Sequence, residues 1–300
     1  MKLSFSTRGW GDLSWEELLS SALDMKFTGI ELYNPFKFPA LMDRGGPFHK
    51  HKCAATLRQL RDKKLSMPCI DTSLDLSVEQ ADTMKSVLNL AHDLKIPYAV
   101  CWASSDDGEE KFRENLDSIL PVAEELGVCI LIKTSGIYAD TTRLRSLLES
   151  YASDWLGTLW DMHHPYRDFG ESADTTIKNL GTYVKHVHLR DSDDKDTYNL
   201  IGEGNMPVAD MMRALSSINY DGFISLEWKP EWMEDLTDRE VIFPHFVNYM
   251  SRFNSPRTRK KSLYYNHDGS GQYVWKKDDL IDLTFPQVLD RMVEEFPDQY

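Results

Sequence analysis

Long apolar runs are missing from this 300-residue chain. The longest uniformly apolar stretch is Tyr98–Ala103, far short of the roughly 20 residues a bilayer-spanning helix needs, so a transmembrane helix is excluded. The opening Met1-Lys-Leu-Ser-Phe5 passes directly into a strand-like pattern without the apolar core of a signal peptide. Basic charge is also scarce, 34 Lys and Arg against 48 Asp and Glu, for a net charge of −14. Such a surface repels a phosphate backbone and excludes sequence-independent nucleic-acid binding. Cysteine is sparse: Cys53, Cys69, Cys101 and Cys129 show no paired spacing. They read as reduced core thiols of a cytoplasmic protein. No Gly-x-Gly-x-x-Gly follows the first strand candidate, which argues against a dinucleotide-binding open sheet. What remains, 41% hydrophobic and 27% charged residues, is an ordinary globular composition.

The dominant pattern is alternation. Short β-branched or aromatic runs lie at Lys2–Ser6, Gly29–Tyr33, Leu65–Asp71, Tyr98–Ala103, Val128–Thr134, Trp155–Asp161, Val184–Leu189 and Phe223–Glu227. Each is followed by a longer amphipathic run with a recognisable start. Ser14-Trp-Glu-Glu17 has the form of a capping box, and Leu18, Leu19, Ala22 and Leu23 follow at helical spacing. Ser77, Asp140 with Thr141, and Pro207 with Asp210 mark other starts. Eight strands alternating with eight helices predict an α/β fold, a (β/α)8 TIM barrel over residues 1–253. After Asn254 the composition turns basic and apolar-poor (Ser255-Pro-Arg-Thr-Arg-Lys-Lys-Ser262), and one last helix signal runs from Thr284 to Phe296. Residues 254–300 are expected to be a linker and the beginning of a second, truncated domain, a short C-terminal extension of the barrel.

In a parallel barrel the C-terminal strand ends line one open mouth. Here they deliver Lys133 from the fifth strand and Asp161 with His164 from the sixth. The seventh supplies His186, His188 and Arg190, and the eighth supplies Glu227 and Lys229. Asp161, His188 and Glu227 offer oxygen, nitrogen and oxygen, a set suited to Mn, Zn or Co. The bland alternative is that Asp161 caps a helix and His188 is a satisfied barrel-end histidine; three such residues at successive strand ends favour a site. Glu31, at the end of the second strand, is either a mouth residue or half of a structural ion pair. Trp102 and Trp228 could wall a sugar face or pack in the core. Arg190 and Lys229 could hold a substrate anion or balance Asp191 and Glu231.

Trp160-Asp-Met-His-His-Pro-Tyr166, Lys185-His-Val-His-Leu-Arg-Asp-Ser192 and Ile224-Ser-Leu-Glu-Trp228 resemble the xylose-isomerase-like barrel superfamily. That superfamily holds sugar isomerases and epimerases and also the AP endonuclease family 2 proteins. The resemblance implies one divalent metal (Mn, Zn, Co or Mg) held by Glu, Asp, His and Glu from strands five to eight, with the two Glu residues shuttling the substrate proton. Asp161, His188 and Glu227 match the second, third and fourth ligands, and His164 matches a histidine that meets substrate. The first ligand is replaced: Ile130-Leu-Ile-Lys-Thr-Ser-Gly136 carries Lys133 where a glutamate is expected. The next acidic residue, Asp140, looks like a helix start. The tail from Leu283 to Asp298 resembles the opening helix of AMP-forming acyl-CoA synthetases, which implies that the barrel is fused to such a domain in a longer protein.

The expected function is a sugar or polyol isomerase or epimerase acting by proton transfer next to a carbonyl. Glu227 is the base, His164 and Arg190 orient hydroxyls, and Trp102 and Lys229 complete the substrate contacts. A protonated lysine is donor-only and cannot ligate. Its charge balances the carboxylates, so metal is expected to bind weakly or not at all. The main alternative is a catalytically degenerate barrel that binds a ligand or organises the fused domain. A Schiff-base lyase through Lys133 ranks lower, because flanking carboxylates raise a lysine pKa. A DNA-repair nuclease is disfavoured: its three-zinc site would need His or Glu where strands three and four end in Ile70-Asp-Thr-Ser73 and Cys101-Trp-Ala-Ser104.

Overall fold

The computed structural model describes residues 1–11, 14–78, 81–233 and 238–254, and two short strands at Asn266–His267 and Tyr273–Val274. The strands of the barrel are β1 (Lys2–Ser6), β2 (Gly29–Tyr33), β3 (Cys69–Asp75), β4 (Tyr98–Ala103), β5 (Cys129–Gly136), β6 (Leu156–Asp161) and β7 (Val184–Leu189). A two-stranded ribbon, β8 (Asp191–Ser192) and β9 (Tyr198–Asn199), precedes the last barrel strand, β10 (Phe223–Leu226). The eight barrel strands are parallel, each pairs with its chain neighbours, and β10 closes the ring on β1 through Lys2↔Phe223 to Phe5↔Leu226. The α/β barrel expected from the alternation is the observed fold.

Eight helices form the outer layer: α1 (Trp15–Asp24), α3 (Cys53–Lys63), α4 (Ala81–Asp93), α5 (Glu109–Leu126), α6 (Thr141–Tyr151), α8 (Ala173–Leu180), α9 (Val208–Ser217) and α10 (Arg239–Asn254). Two short helices sit in mouth loops, α2 (Pro39–Met42) after β2 and α7 (His163–Phe169) after β6. The start signals behave as their chemistry dictates. Ser14 and Glu17 form the reciprocal capping box of α1. Asp140 caps α6, accepting from the backbone N–H of Thr142 and Arg143 at 3.0 and 3.2 Å.

Two strands differ by more than one residue from the sequence expectation. The third starts at Cys69 rather than Leu65, because Pro68 has no N–H for the ladder; Ser66 makes only an isolated bridge to Gly29. It then runs on to Asp75 through a register shift between Asp71 and Leu74, where Ser73 takes φ 52°. The fifth extends to Gly136, whose φ is 58° and where a Cβ would lie 2.1 Å from the Ala103 carbonyl oxygen, so only glycine fits.

Outward strand residues such as Phe5, Ile30, Ile70, Ile132, Trp160 and Ile224 pack under the helices. Phe243 of α10 stacks on Phe5 and Trp10 at 5.3 and 5.6 Å, which joins the last helix to the first strand. The inward faces divide in two. Cys69, Val100, Cys129, Leu131 and Leu159, from β3 to β6, form a separate apolar cluster. On the opposite side Ser4, Glu31, His186, His188 and Ser225, from β1, β2, β7 and β10, form a buried polar column. Ser4 Oγ lies 2.8 Å from Ser225 Oγ, and Ser225 Oγ lies 3.0 Å from His186 Nε2.

Residues Met1–Phe253 form one compact unit and Asn254–Tyr300 a second. In the second, Asn266–His267 and Tyr273–Val274 pair antiparallel. The stretch 283–298, singled out for its synthetase-like pattern, lies outside the described residues, as does the basic stretch 255–262.

Candidate active site

Strand alternation points Asp71, Lys133, Asp161, His188 and Glu227 into the barrel at its C-terminal end. All five are buried. Lys133 is central. Its Nζ lies 3.0 Å from Glu227 Oε1, 3.4 Å from Asp161 Oδ2 and 3.5 Å from Asp71 Oδ2. Two guanidinium groups complete the cluster. Arg190 pairs with Asp161 Oδ2 at 3.2 Å and with Glu227 Oε2, and Arg8 pairs with Glu227 Oε1. Three cations therefore face three carboxylates. Below them Glu31 Oε2 lies 2.8 Å from both His186 Nε2 and His188 Nε2, while His188 Nδ1 lies 3.7 Å from Glu227 Oε2.

Proton affinities follow from this packing. Burial alone would lower the Lys133 pKa, but Glu227, Asp71 and Asp161 outweigh it and hold the ammonium above its usual range. Burial likewise opposes ionisation of Glu227, yet Lys133, Arg190, Arg8 and His188 keep its carboxyl well below the usual value. Asp161 is lowered for the same reason, burial being overcome by Arg190, His164 and Lys133. Against its own burial, His188 is pushed up to about 9, chiefly by Glu31.

Among the described residues two triplets bring possible metal-ligand atoms within 4.8 Å of one another: Asp71, His188 and Glu227, and Glu31, His186 and His188. Neither arrangement fits a divalent ion. In the first, the Lys133 ammonium lies 3.0 and 3.5 Å from the two carboxylates, and both Glu227 oxygens carry ion pairs. In the second, a ring nitrogen 2.8 Å from a carboxylate oxygen is an N–H donor, not a free lone pair. A dication added to a cluster already balanced in charge would face buried like charge.

Above the cluster opens a cavity of about 400 Å³ lined by Arg8, Tyr33, Asp71, Trp102, Lys133, His164, Asp168, Arg190, Tyr198 and Trp232, among others. Its walls are aromatic. Arg8 lies between the rings of Tyr33 and Trp232, 5.1 Å from each centroid, and Tyr198 stacks on Trp232 at 4.6 Å. His164 Nδ1 is 3.0 Å from Asp168 Oδ2, and its Nε2 is 2.9 Å from Arg190 Nη2. The guanidinium can only donate, so Nε2 accepts and Nδ1–H donates to Asp168.

The structure thus brings Lys133, Asp161, His164, His188, Arg190 and Glu227 together and sets Trp102 in the cavity wall. Lys229 is not among the lining residues; its Nζ lies over the Trp232 ring, 5.4 Å from the centroid. Trp228 is buried against Phe243. Arg190 balances Asp161 and Glu227 rather than Asp191. The Asp191 carboxylate instead accepts from the backbone N–H of Ser192, Gly202, Gly204 and Met206 and shapes the loop. Glu31 is the ion-pair half that the sequence left open. Arg8, Asp71 and Asp168 were not singled out from sequence. Asp71 carried a signal, an acid inside an apolar strand run, while Arg8 sits in a short 3-10 turn, Thr7–Gly9, with no periodic mark.

A family profile described as a xylose isomerase-like TIM barrel matches residues 19–243. Fructoselysine 3-epimerase of Shigella flexneri is 23% identical over 264 residues, covering 78% of this chain and 92% of that protein. The crystal structure of AsbF, a probable 3-DHS dehydratase from Bacillus anthracis, superposes with a TM-score of 0.70 at 17% identity, covering 84% of this chain and 99% of that one. The IOLI protein, crystallised with a zinc atom, gives a TM-score of 0.69 at 14% identity over 85% and 100% of the two chains.

Proposed function

As the chain belongs to the xylose isomerase-like TIM barrel family, we propose that it is a sugar or polyol isomerase or epimerase that works without a divalent metal, the Lys133 ammonium standing in for the cation. The observation that carries this reading is the position of Lys133 Nζ, within 3.5 Å of Glu227, Asp161 and Asp71 on the floor of an aromatic-walled cavity. The epimerase relative supports the substrate class.

A sugar carbonyl directed at the floor meets N–H donors from Lys133 and Arg190. Glu227 removes the proton from the neighbouring carbon, the C–H pair becomes the C=C bond of an enediolate, and the carbonyl π pair moves onto oxygen. Ammonium and guanidinium stabilise that oxygen. Glu227, its proton now exchanged with solvent, then delivers it to the adjacent carbon in an isomerisation, or to the other face of the same carbon once the enediolate has turned over above the carboxyl in an epimerisation. In the free protein Glu227 is a weak base, because Lys133, Arg190, Arg8 and His188 hold it ionised. A developing oxyanion competes for Lys133 and Arg190 and so restores basicity to Glu227 when the proton must move. His164, fixed by Asp168, and Arg190 orient hydroxyls, and Trp102, Tyr198 and Trp232 offer faces to sugar C–H groups. Four free, buried cysteines support a reducing, cytoplasmic setting.

The test is exchange of carbon-bound hydrogen into D2O across a panel of ketoses, aldoses and keto-polyols, with metal chelated. Exchange at the carbon beside the carbonyl, lost in Glu227→Gln, is the expected result. Binding without exchange would favour the second reading, a non-catalytic sugar-binding barrel, which the threefold clasp on Glu227 also supports. The raised Lys133 pKa argues against a Schiff base.

A further inference from the structure

Among the described residues, seven non-glycine residues have positive φ. Five of them, Lys26, Lys64, Lys95, Ala152 and Asn219, follow the C-terminal ends of helices, where the left-handed conformation is the ordinary way to stop. Asn34 (φ 42°) and Ser73 (φ 52°) do not. Asn34 lies just beyond β2, directly before Pro35, a position that disfavours helical backbone. Ser73 lies at the irregularity of β3. Strained backbone of this kind persists where surrounding structure holds it, and it gathers at functional sites.

Both residues line one cavity. It is separate from the mouth, about 670 Å³, and bounded by Tyr33, Asn34, Phe36, Lys37, Thr72, Ser73, Leu74, Asp82, Thr83 and Ser86. Tyr33 and Ser73 also line the mouth cavity, so these two side chains form a shared wall. The wall is bonded together. Ser73 Oγ donates to Tyr33 Oη at 3.1 Å, and the Trp102 indole N–H donates to the Ser73 carbonyl at 2.9 Å. Ser73, at its positive φ, thus bonds to two residues of the mouth cavity, Tyr33 and Trp102.

The lining suggests what fits. Hydroxyls come from Thr72, Ser73, Thr83 and Ser86, and Phe36 offers a ring that is 41% exposed. One carboxylate, Asp82, is already paired with Lys85 at 3.1 Å. Lys37 has no ion-pair partner among the described residues, which leaves the cavity one positive charge in excess.

We propose that the side cavity takes the far half of a conjugated sugar, a polar substituent carrying an anionic group that pairs with Lys37, while the sugar half occupies the mouth. The inference rests on the sugar reading above and narrows its substrate class from free sugars to sugars with an anionic arm. A phosphate ester and an amino-acid conjugate share that chemistry, and the experiment separates them.

The experiment measures binding by titration calorimetry and by amide NMR shifts, for D-fructose, D-fructose 6-phosphate and fructosyl-glutamate. The proteins are the full chain, Lys37→Gln, and Ser86→Trp, which fills the cavity from an exposed helix position. At least one anionic sugar is expected to bind about tenfold or more tighter than D-fructose, in line with a charge-assisted contact, and to shift Ser73, Thr83 and Ser86. Both variants should remove that advantage and leave D-fructose unchanged. Which arm gains identifies phosphate or amino acid. If D-fructose binds at the mouth but neither anionic sugar binds more tightly, or if Lys37→Gln weakens all three equally, the side-cavity inference is overturned and the sugar reading stands. If no sugar shifts the mouth residues, both fall.

Discussion

Lys133 and Glu227, 94 positions apart in the chain, meet end to end at 3.0 Å in the middle of the barrel. The ammonium also reaches Asp71 and Asp161. The floor of the mouth is therefore closed by side-chain charge alone, and that balance has direct consequences.

Lys133→Glu replaces a cation with a ligand. The cluster then holds four carboxylates against two guanidinium groups, and a divalent ion would restore neutrality. The protein as it stands should bind Mn²⁺ or Zn²⁺ negligibly, and the variant stoichiometrically. Elemental analysis and calorimetry on both proteins test this; tight, stoichiometric metal in the unmodified chain would refute it. Lys133→Met, which leaves buried carboxylates short of a partner, should cost about 3–5 kcal/mol in urea unfolding.

Asp168 tests the tautomer of His164. Its carboxyl is lowered to about 2, first by the hydrogen bond from His164 and then, against partial burial, by Lys195. A depressed carboxyl stabilises the fold above its ordinary value and loses that contribution as pH falls through the folded value. The window runs from near 3.8 down to about 2. Asp168→Asn should flatten this part of the stability–pH curve by about 1–2 kcal/mol. Because Arg190 still donates to Nε2, the His164 ring proton should stay on Nδ1, held by the amide oxygen and read by ¹⁵N shifts. A ring proton found on Nε2 would show that Asp168, and not Arg190, sets the tautomer.

Phe243 closes the barrel, fully buried against Phe5 and Trp10. Phe243→Ala should cost about 3–5 kcal/mol in urea unfolding. A loss below about 1 kcal/mol would mean that α10 is not needed to seal β1.

We expect a chain ending at Asn254 to fold. Phe253 ends the first compact unit, and the proposal that residues 254–300 belong to a separate domain predicts a melting temperature within a few degrees of the full chain. An insoluble product would make the tail part of the barrel.

The barrel was legible because two periods, two for strands and 3.6 for helices, repeat eight times, and because Ser14 and Asp140 carry caps that act locally. Strand limits were legible where chain sterics decide them, as at β1, β2, β4 and β7, and were missed at β3. There Pro68 delays the start and the strain at Ser73 prolongs the strand, and the latter depends on Tyr33 and Trp102 far away in sequence. Among the site residues, strand parity exposed Lys133, Asp161, His188 and Glu227. Arg8 could not be read, because a guanidinium in a short turn gains meaning only once Tyr33, Trp232 and Glu227 surround it. Lys229 was offered to the mouth by its place in the chain, and its side chain lies over Trp232, one of the mouth's lining rings.

The interior that is half apolar and half polar makes the barrel asymmetric in how it passes on a disturbance. Leu131 and Leu159 fill space, and shortening either leaves a void whose effect fades over a few neighbours. Ser4, Ser225, His186, Glu31 and His188 instead share hydrogens one to the next, from the floor of the barrel to within 3.7 Å of Glu227. Ser225→Ala, well below the mouth, would leave the His186 N–H wholly to Glu31, and so change the claim of Glu31 on His188 and the charge beneath Glu227. One side of the barrel answers to volume, and the other behaves as wiring.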